Sequence, residues 1–320
     1  MSGLSYSPTY GVNFVPTLHH APAPGFEPTS QRLPAPFVAV ITGASRGIGR
    51  ATAEAFAKAG ATGLILTARK VDSALEDTKR LCLEAAAAAG GDLKVSLVAV
   101  PSGDEEATAR LAEVVRAEHG DRLDLLVNNA GVVCTDAAAW DPFEGVPVDQ
   151  IRIPLETNYV GRFLTMKYLM PLLLPAEGQG EVGGKGRTPG TVVNISSLCS
   201  HFTGIGALGF NVSALASNRL TESAAERFAD RGLRCYSVHP GAVLTSPPPG
   251  MLEAFGGADG AANFAKDRPD LCAAMLLWLA RHRPDWLNGR YLSAAWDIGE
   301  LERRREDIVS GDKLKFKMVI

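Results

Sequence analysis

The stretch FVAVITGASRGIGRATAEAFAKAG, residues 37–60, decides how this chain is read. Its first seven residues are a short apolar run with β-branched side chains, which predicts a buried strand. From Gly47 the chain reads as a helix, stopped by Gly60. Between the two, Gly43, Gly47 and Gly49 allow a tight turn, close backbone approach to a pyrophosphate and close helix–sheet packing. The helix start adds unpaired N–H groups and a partial positive charge. Strand, glycine loop and helix in this order predict a dinucleotide site that also includes Ser45, Arg46 and Ile48.

Downstream, strands are expected at GLILTA (63–68), LKVSLVAV (93–100), LDLLVNNAG (123–131), TVVNIS (191–196), RCYSVH (234–239) and GRYL (289–292). Helices are expected over about 72–89, along a face carrying Ala107, Leu111, Val114 and Val115, over 148–174, over about 209–230, and around Leu271, Met275, Trp278 and Leu279. A glycine-rich loop, 176–190, reads as a surface insertion. Alternating strands and helices predict a single doubly wound α/β domain, 37–296, whose parallel sheet is covered on both faces. Ligands bind such sheets at the carboxyl ends of the strands. Residues 1–36 hold seven prolines and few aliphatics, and predict an irregular, exposed arm, with docking to a partner as the alternative. The charged tail, 297–320, is expected to pack only in part.

Composition narrows the function classes. A net charge of −3 over 320 residues gives no global field for nucleic acid or an anionic membrane. No apolar run approaches the roughly 20 residues that a membrane-spanning helix needs. The five cysteines are scattered and never spaced C-x-x-C, which argues against a disulfide framework or a zinc site and fits a reducing, cytoplasmic setting. At the end of the second strand the chain reads LTARK, with Arg69 and Lys70 where an acid would accept a ribose hydroxyl. Basic residues there, with Arg46 nearby, favour a 2′-phosphate, so NADP(H) is expected over NAD(H).

Taken together, these residues resemble the short-chain dehydrogenase/reductase family over 37–293. TGASRGIG (42–49) is similar to its cofactor loop, and NNAG (128–131) to the motif that steadies the sheet and lines the adenosine side, through Asn128. TNYVG (157–161) is similar to the segment carrying the family's active-site asparagine, here Asn158. NISS (194–197) resembles the strand end that presents the catalytic serine, here Ser197, and HPGAVLT (239–245) the turn whose threonine, here Thr245, holds the nicotinamide end. The resemblance implies a small-molecule substrate, a homo-oligomer, and a Tyr-x-x-x-Lys pair on the helix after the serine. The lysine would lower the tyrosine pKa and grip the nicotinamide ribose, and the tyrosine would pass a proton to or from the substrate oxygen.

Here the chain departs from the family. Aligned on Ser197, the tyrosine slot holds Phe210 and the lysine slot Ala214, and no register shift recovers the pair. Pro101 stands where an acid often follows the third strand. A phenylalanine has no ionisable proton, and losing a positioned general acid costs about 10²–10⁴ in rate. The leading expectation is an oxidoreductase acting on a carbonyl or hydroxyl of a small organic, secondary-metabolite-like molecule, with Ser197 and Asn158 polarising the substrate oxygen. His201, Cys199, Tyr159 or a chain of water molecules would then be a substitute proton carrier. The alternatives are a non-redox isomerase, dehydratase or cyclase, and a binding protein without catalysis. Phe and Ala are also what a deliberate silencing of the pair would install.

Overall fold

The computed structural model describes residues 10–134, 136–175, 187–244, 257, 259–260 and 265–318. Seven strands form one sheet: β1 (Val38–Thr42), β2 (Gly63–Ala68), β3 (Lys94–Ala99), β4 (Leu125–Asn128), β5 (Thr191–Ile195), β6 (Arg234–His239) and β7 (Tyr291–Ser293). Their order is β3-β2-β1-β4-β5-β6-β7, and every pairing is parallel. The order reverses between β1 and β4, and a crevice opens there beyond the strand ends.

Both faces are covered, as near-continuous apolar strands require. On one face α1 (Gly47–Lys58), α2 (Ser73–Ala88) and α7 (Pro269–His282) bury Phe56, Leu75 and Leu276 against Ile41, Leu66 and Val193. On the other, α3 (Glu105–His119), α5 (Gly161–Leu173) and α6 (Leu208–Arg227) bury Leu111, Leu169 and Ala224 against Val40, Leu126 and Val192.

One expectation needs correction, and two gain detail. The helix expected over 148–174 is α4 (Asp149–Leu155), one π-helical turn (Glu156–Val160) and α5 in continuous succession. The widened turn carries Asn158, whose amide leaves the helix to bind the loop after β4. The arm is irregular, yet over residues 10–36 it is packed rather than free. Val15 is fully buried, Leu18 bridges to Trp296, Trp296 Nε1 donates to Val12 O, and Arg304 lies over the Phe14 ring. The tail packs through part of its length: α8 (Ile298–Arg303) and α9 (Arg305–Ser310) bury Leu301 and Ile308, while most of its other side chains are exposed or half-buried. Beyond them, Leu314 O accepts from Tyr291 N, and Phe316 N donates to Glu222 Oε1. Most of the expected glycine-rich loop, and Thr245, lie outside the described residues.

Candidate active site

The site starts at the turn between β1 and α1. Gly43 and Gly47 take left-handed backbone angles (φ +65° and +57°), which L side chains disfavour. Gly49 is demanded by space: a Cβ there would sit 2.3 Å from Gly43 O and 2.6 Å from Asn129 Nδ2. A Cβ on Gly43 would meet Ala130 Cα at 2.9 Å. Thr42 Oγ1 accepts from Asn129 N and Ala130 N, both at 3.0 Å, and Asn129 Nδ2 donates to Thr42 O and Gly43 O. The glycine turn and residues 128–131 are thereby one unit. Arg46, the N-cap of α1, makes no side-chain cap, so the first amides of the helix are left for a ligand's oxygens. Ser45 and Ile48 are half-buried around it, and Arg46, Arg69 and Lys70 are exposed. A backbone cradle of this shape fits a dinucleotide pyrophosphate.

Sequence reading missed the brace behind this turn. Arg50 donates from Nη2 to Ser45 O (2.7 Å) and Ala74 O (2.9 Å), and from Nε to Thr78 Oγ1 (3.0 Å). One side chain thus holds the loop to the start of α2. Its position on the first turn of α1 is the signal that could have revealed it.

Beneath the strand ends runs a buried polar chain. Thr165 Oγ1 donates to Asn128 Oδ1 (2.7 Å), Asn128 Nδ2 to Asn194 Oδ1 (2.9 Å), and Asn194 Nδ2 to Thr221 Oγ1 (2.8 Å). The Asn128 amide thus uses one of its two hydrogens and one acceptor position inside the protein. It steadies β4 against β5, and the same side chain lines the cavity beyond the strand ends.

Asn158 is likewise committed. Oδ1 accepts from Val132 N (2.8 Å), and Nδ2 donates to Val132 O (2.8 Å) and Ser213 Oγ (2.9 Å). It clamps the loop after β4 to α6, and its amide is not the group that meets a substrate oxygen. Ser197 stands at the end of β5, nearly buried, with Oγ accepting from Cys199 N at 3.1 Å; the hydroxyl proton is left to donate.

The candidate proton carriers fare unequally. Burial pushes the Cys199 thiol up, which suits a packed residue. Burial holds His201 down at about 4, so its ring is neutral at physiological pH, stacked on Phe316 and edge-on to Tyr291, both at 4.8 Å. The Tyr159 side chain is exposed.

On α6, Phe210 packs with Val133 and Trp140 against Cys134, Ala139 and Ala207, an apolar wall beside the strand ends. Gly209 lets the helix come this close, since a Cβ there would lie 2.1 Å from Gln150 O. Ala214 is buried between Ser213 and Ser217 on the same helix. Ser217 Oγ accepts from Arg162 Nη1 at 2.6 Å. Arg162 was not singled out from sequence, although a basic residue inside the apolar run GRFLTMKYLM was the available signal. Among the described residues no three His, Cys, Asp or Glu side chains gather as a metal site.

The sequence and the fold are similar to those of known proteins. The family model for short chain dehydrogenases matches residues 37–248. The chain is 34% identical over 321 residues to short chain dehydrogenase pgmD of Aspergillus terreus, covering 99% of this chain and 98% of that protein. It is 39% identical over 281 residues to short chain dehydrogenase mpl6 of Monascus purpureus, covering 88% of each. Among solved structures it superposes on L-sorbose reductase from Gluconobacter frateurii, complexed with NADPH and L-sorbose, with a TM-score of 0.65 at 23% identity, covering 82% of this chain and 96% of that one. The chain belongs to the short-chain dehydrogenase/reductase family.

Proposed function

We propose that the protein is an NADP(H)-dependent oxidoreductase acting on a carbonyl or hydroxyl of a small organic molecule, of the secondary-metabolite kind, through a modified proton-transfer site. The observation that carries this is the intact cradle of Gly43, Gly47 and Gly49, with basic Arg46, Arg69 and Lys70 exposed beside it and no acid at the end of β2. The backbone amides at the start of α1 would hold the pyrophosphate, and Arg46 and Arg69 the 2′-phosphate. The bound cofactor supplies or accepts the hydride. Ser197 donates its hydroxyl hydrogen to the substrate oxygen and polarises the carbonyl. Phe210 fills the family's tyrosine position and Ala214 its lysine position, so the first closes the pocket as an apolar wall and neither moves a proton. The proton then reaches the substrate oxygen from water, at a rate below that of a positioned acid.

NADPH oxidation followed against a panel of ketones and aldehydes tests this, with Ser197→Ala alongside. Turnover that falls with Ser197→Ala is expected. Turnover indifferent to that change overturns the serine assignment.

A second reading rests on the neutral lining of the same pocket. With Phe210, Ala214 and an uncharged His201, the site could orient and polarise a carbonyl without redox, as an isomerase, dehydratase or cyclase does. Product formed without net cofactor consumption favours it. A homo-oligomer is supported by the exposed apolar side chains Tyr159 in the π turn, Phe163 on α5, and Val212 and Leu215 on α6. Five unpaired cysteines are compatible with a cytoplasmic setting.

A further inference from the structure

The guanidinium of Arg162 is 6% exposed and has a single side-chain partner, Ser217 Oγ. Its Nε has no acceptor, and among the described residues no carboxylate pairs with it. Burial alone lowers its pKa, to about 10, so it is still a cation at neutral pH. An ionised group taken out of water without a counter-charge is costly, and proteins rarely keep one without a use for it.

Its position says what the use is. Helices α5 and α6 follow neighbouring parallel strands, and two bonds tie their starts together in one register. Asn158, in the π turn leading into α5, reaches Ser213; Arg162, one turn later, reaches Ser217. Ala214 falls between the two serines in sequence, so the cation from α5 reaches the turn of α6 that follows position 214. The guanidinium also faces the nucleotide side: a Cβ on Gly131, the last residue of NNAG, would sit 3.6 Å from Arg162 Nη2. The same side chain lines a small cavity together with Thr42, Asn128, Ala130 and Thr165. The buried amide of Asn218, one turn beyond Ala214 on α6, also lacks partners, so this turn carries polar groups the protein does not itself satisfy.

We propose that Arg162 supplies from α5 the positive charge that Ala214 cannot supply from α6, and that its open N–H donors are taken by oxygen acceptors of the bound dinucleotide, directly or through one water. The inference rests on the cofactor reading above. Arg162 is on this view the cofactor-positioning cation of the site, and the loss at position 214 is a relocation of charge.

The test is NADPH affinity by tryptophan fluorescence, with the melting temperature of the ligand-free protein, for the natural sequence, Arg162→Met, Arg162→Gln and the double change Arg162→Met with Ala214→Lys. Removing the charge is expected to weaken NADPH binding about 10- to 100-fold, the worth of one or two charge-assisted hydrogen bonds. The ligand-free melting temperature should stay level or rise, because a desolvated cation has gone. Lysine at 214 in the Arg162→Met background should recover affinity. Arg162→Gln keeps a polar head for Ser217, and gives the same reading should the methionine variant not fold. Unchanged affinity in both single variants overturns the inference, as does failure of the added lysine to recover any of the loss. Absence of NADPH binding by the natural sequence overturns the cofactor reading itself, and this inference with it.

Discussion

Asn158 Nδ2 lies 2.9 Å from Ser213 Oγ, one residue before Ala214, while the same amide closes two 2.8 Å bonds on Val132. One buried side chain therefore ties the end of the β4 loop to the helix that forms the apolar wall. Replacing it with alanine would leave the N–H and C=O of Val132 without their partner. Asn158→Ala is expected to cost about 2–4 kcal/mol, a sum of unsatisfied buried groups at roughly 1–3 kcal/mol each. Thermal or urea unfolding measures it, and a change below about 0.5 kcal/mol, the range of an ordinary surface substitution, contradicts the clamp.

Gly49 is expected to tolerate no side chain. Because the obstacles to a Cβ are the Gly43 carbonyl and the Asn129 amide, Gly49→Ala must shift the cradle itself. Overpacking of this kind costs about 1–3 kcal/mol. NADPH affinity should fall further than stability does. Equal NADPH titration curves for the two proteins would sink this.

Phe210 offers a gain-of-function test. Phe210→Tyr places an ionisable hydroxyl on the pocket wall. If proton delivery limits turnover, the rate should rise by about 10²–10⁴, the usual worth of a positioned acid. An unchanged rate would mean that hydride transfer or product release is limiting, or that the chemistry is not redox.

Stability should weaken in mild acid through two buried histidines. Burial holds His201 and His239 at about 4, below the roughly 6.5 of an unfolded chain. Between those values the unfolded state binds more protons, so stability is full above about pH 6.5 and declines as pH falls toward 4. His239 Nδ1 accepts from Leu198 N, a bond that a proton on that nitrogen would break. His201→Phe keeps an aromatic ring against Phe316 and should flatten part of this decline in melting temperature. An identical pH profile in the variant contradicts it.

The sheet and its helices were legible because burial writes itself into the sequence as periodicity. Runs such as VAVIT and GLILTA are apolar on both faces, and all five residues of β1 are buried. The glycine turn was legible because backbone geometry restricts residue type at Gly43 and Gly47. Other features lacked a local signal. The arm has no periodicity, and its order comes from contacts more than 270 residues away in sequence, such as Leu18 with Trp296 and His19 Nε2 with Asp297 at 2.9 Å. The π turn at Asn158 is set by what the amide must reach, namely Val132 and Ser213, and no spacing rule encodes it. Arg162 had only a weak signal, a basic residue in an apolar run, since its burial and its bond to Ser217 depend on where α6 lies.

The most direct measurement is titration of the purified protein with NADPH, NADP⁺ and NADH, followed by melting temperature and tryptophan fluorescence. A ligand that binds only the folded state adds stability set by its concentration over Kd, about 2.7 kcal/mol at 100-fold excess. A saturable shift with NADPH, larger than with NADH at the same concentration, is the predicted result. No shift with any of the three would contradict a cofactor site at the β1–α1 turn, and would leave the fold as a scaffold for cofactor-free chemistry or for binding.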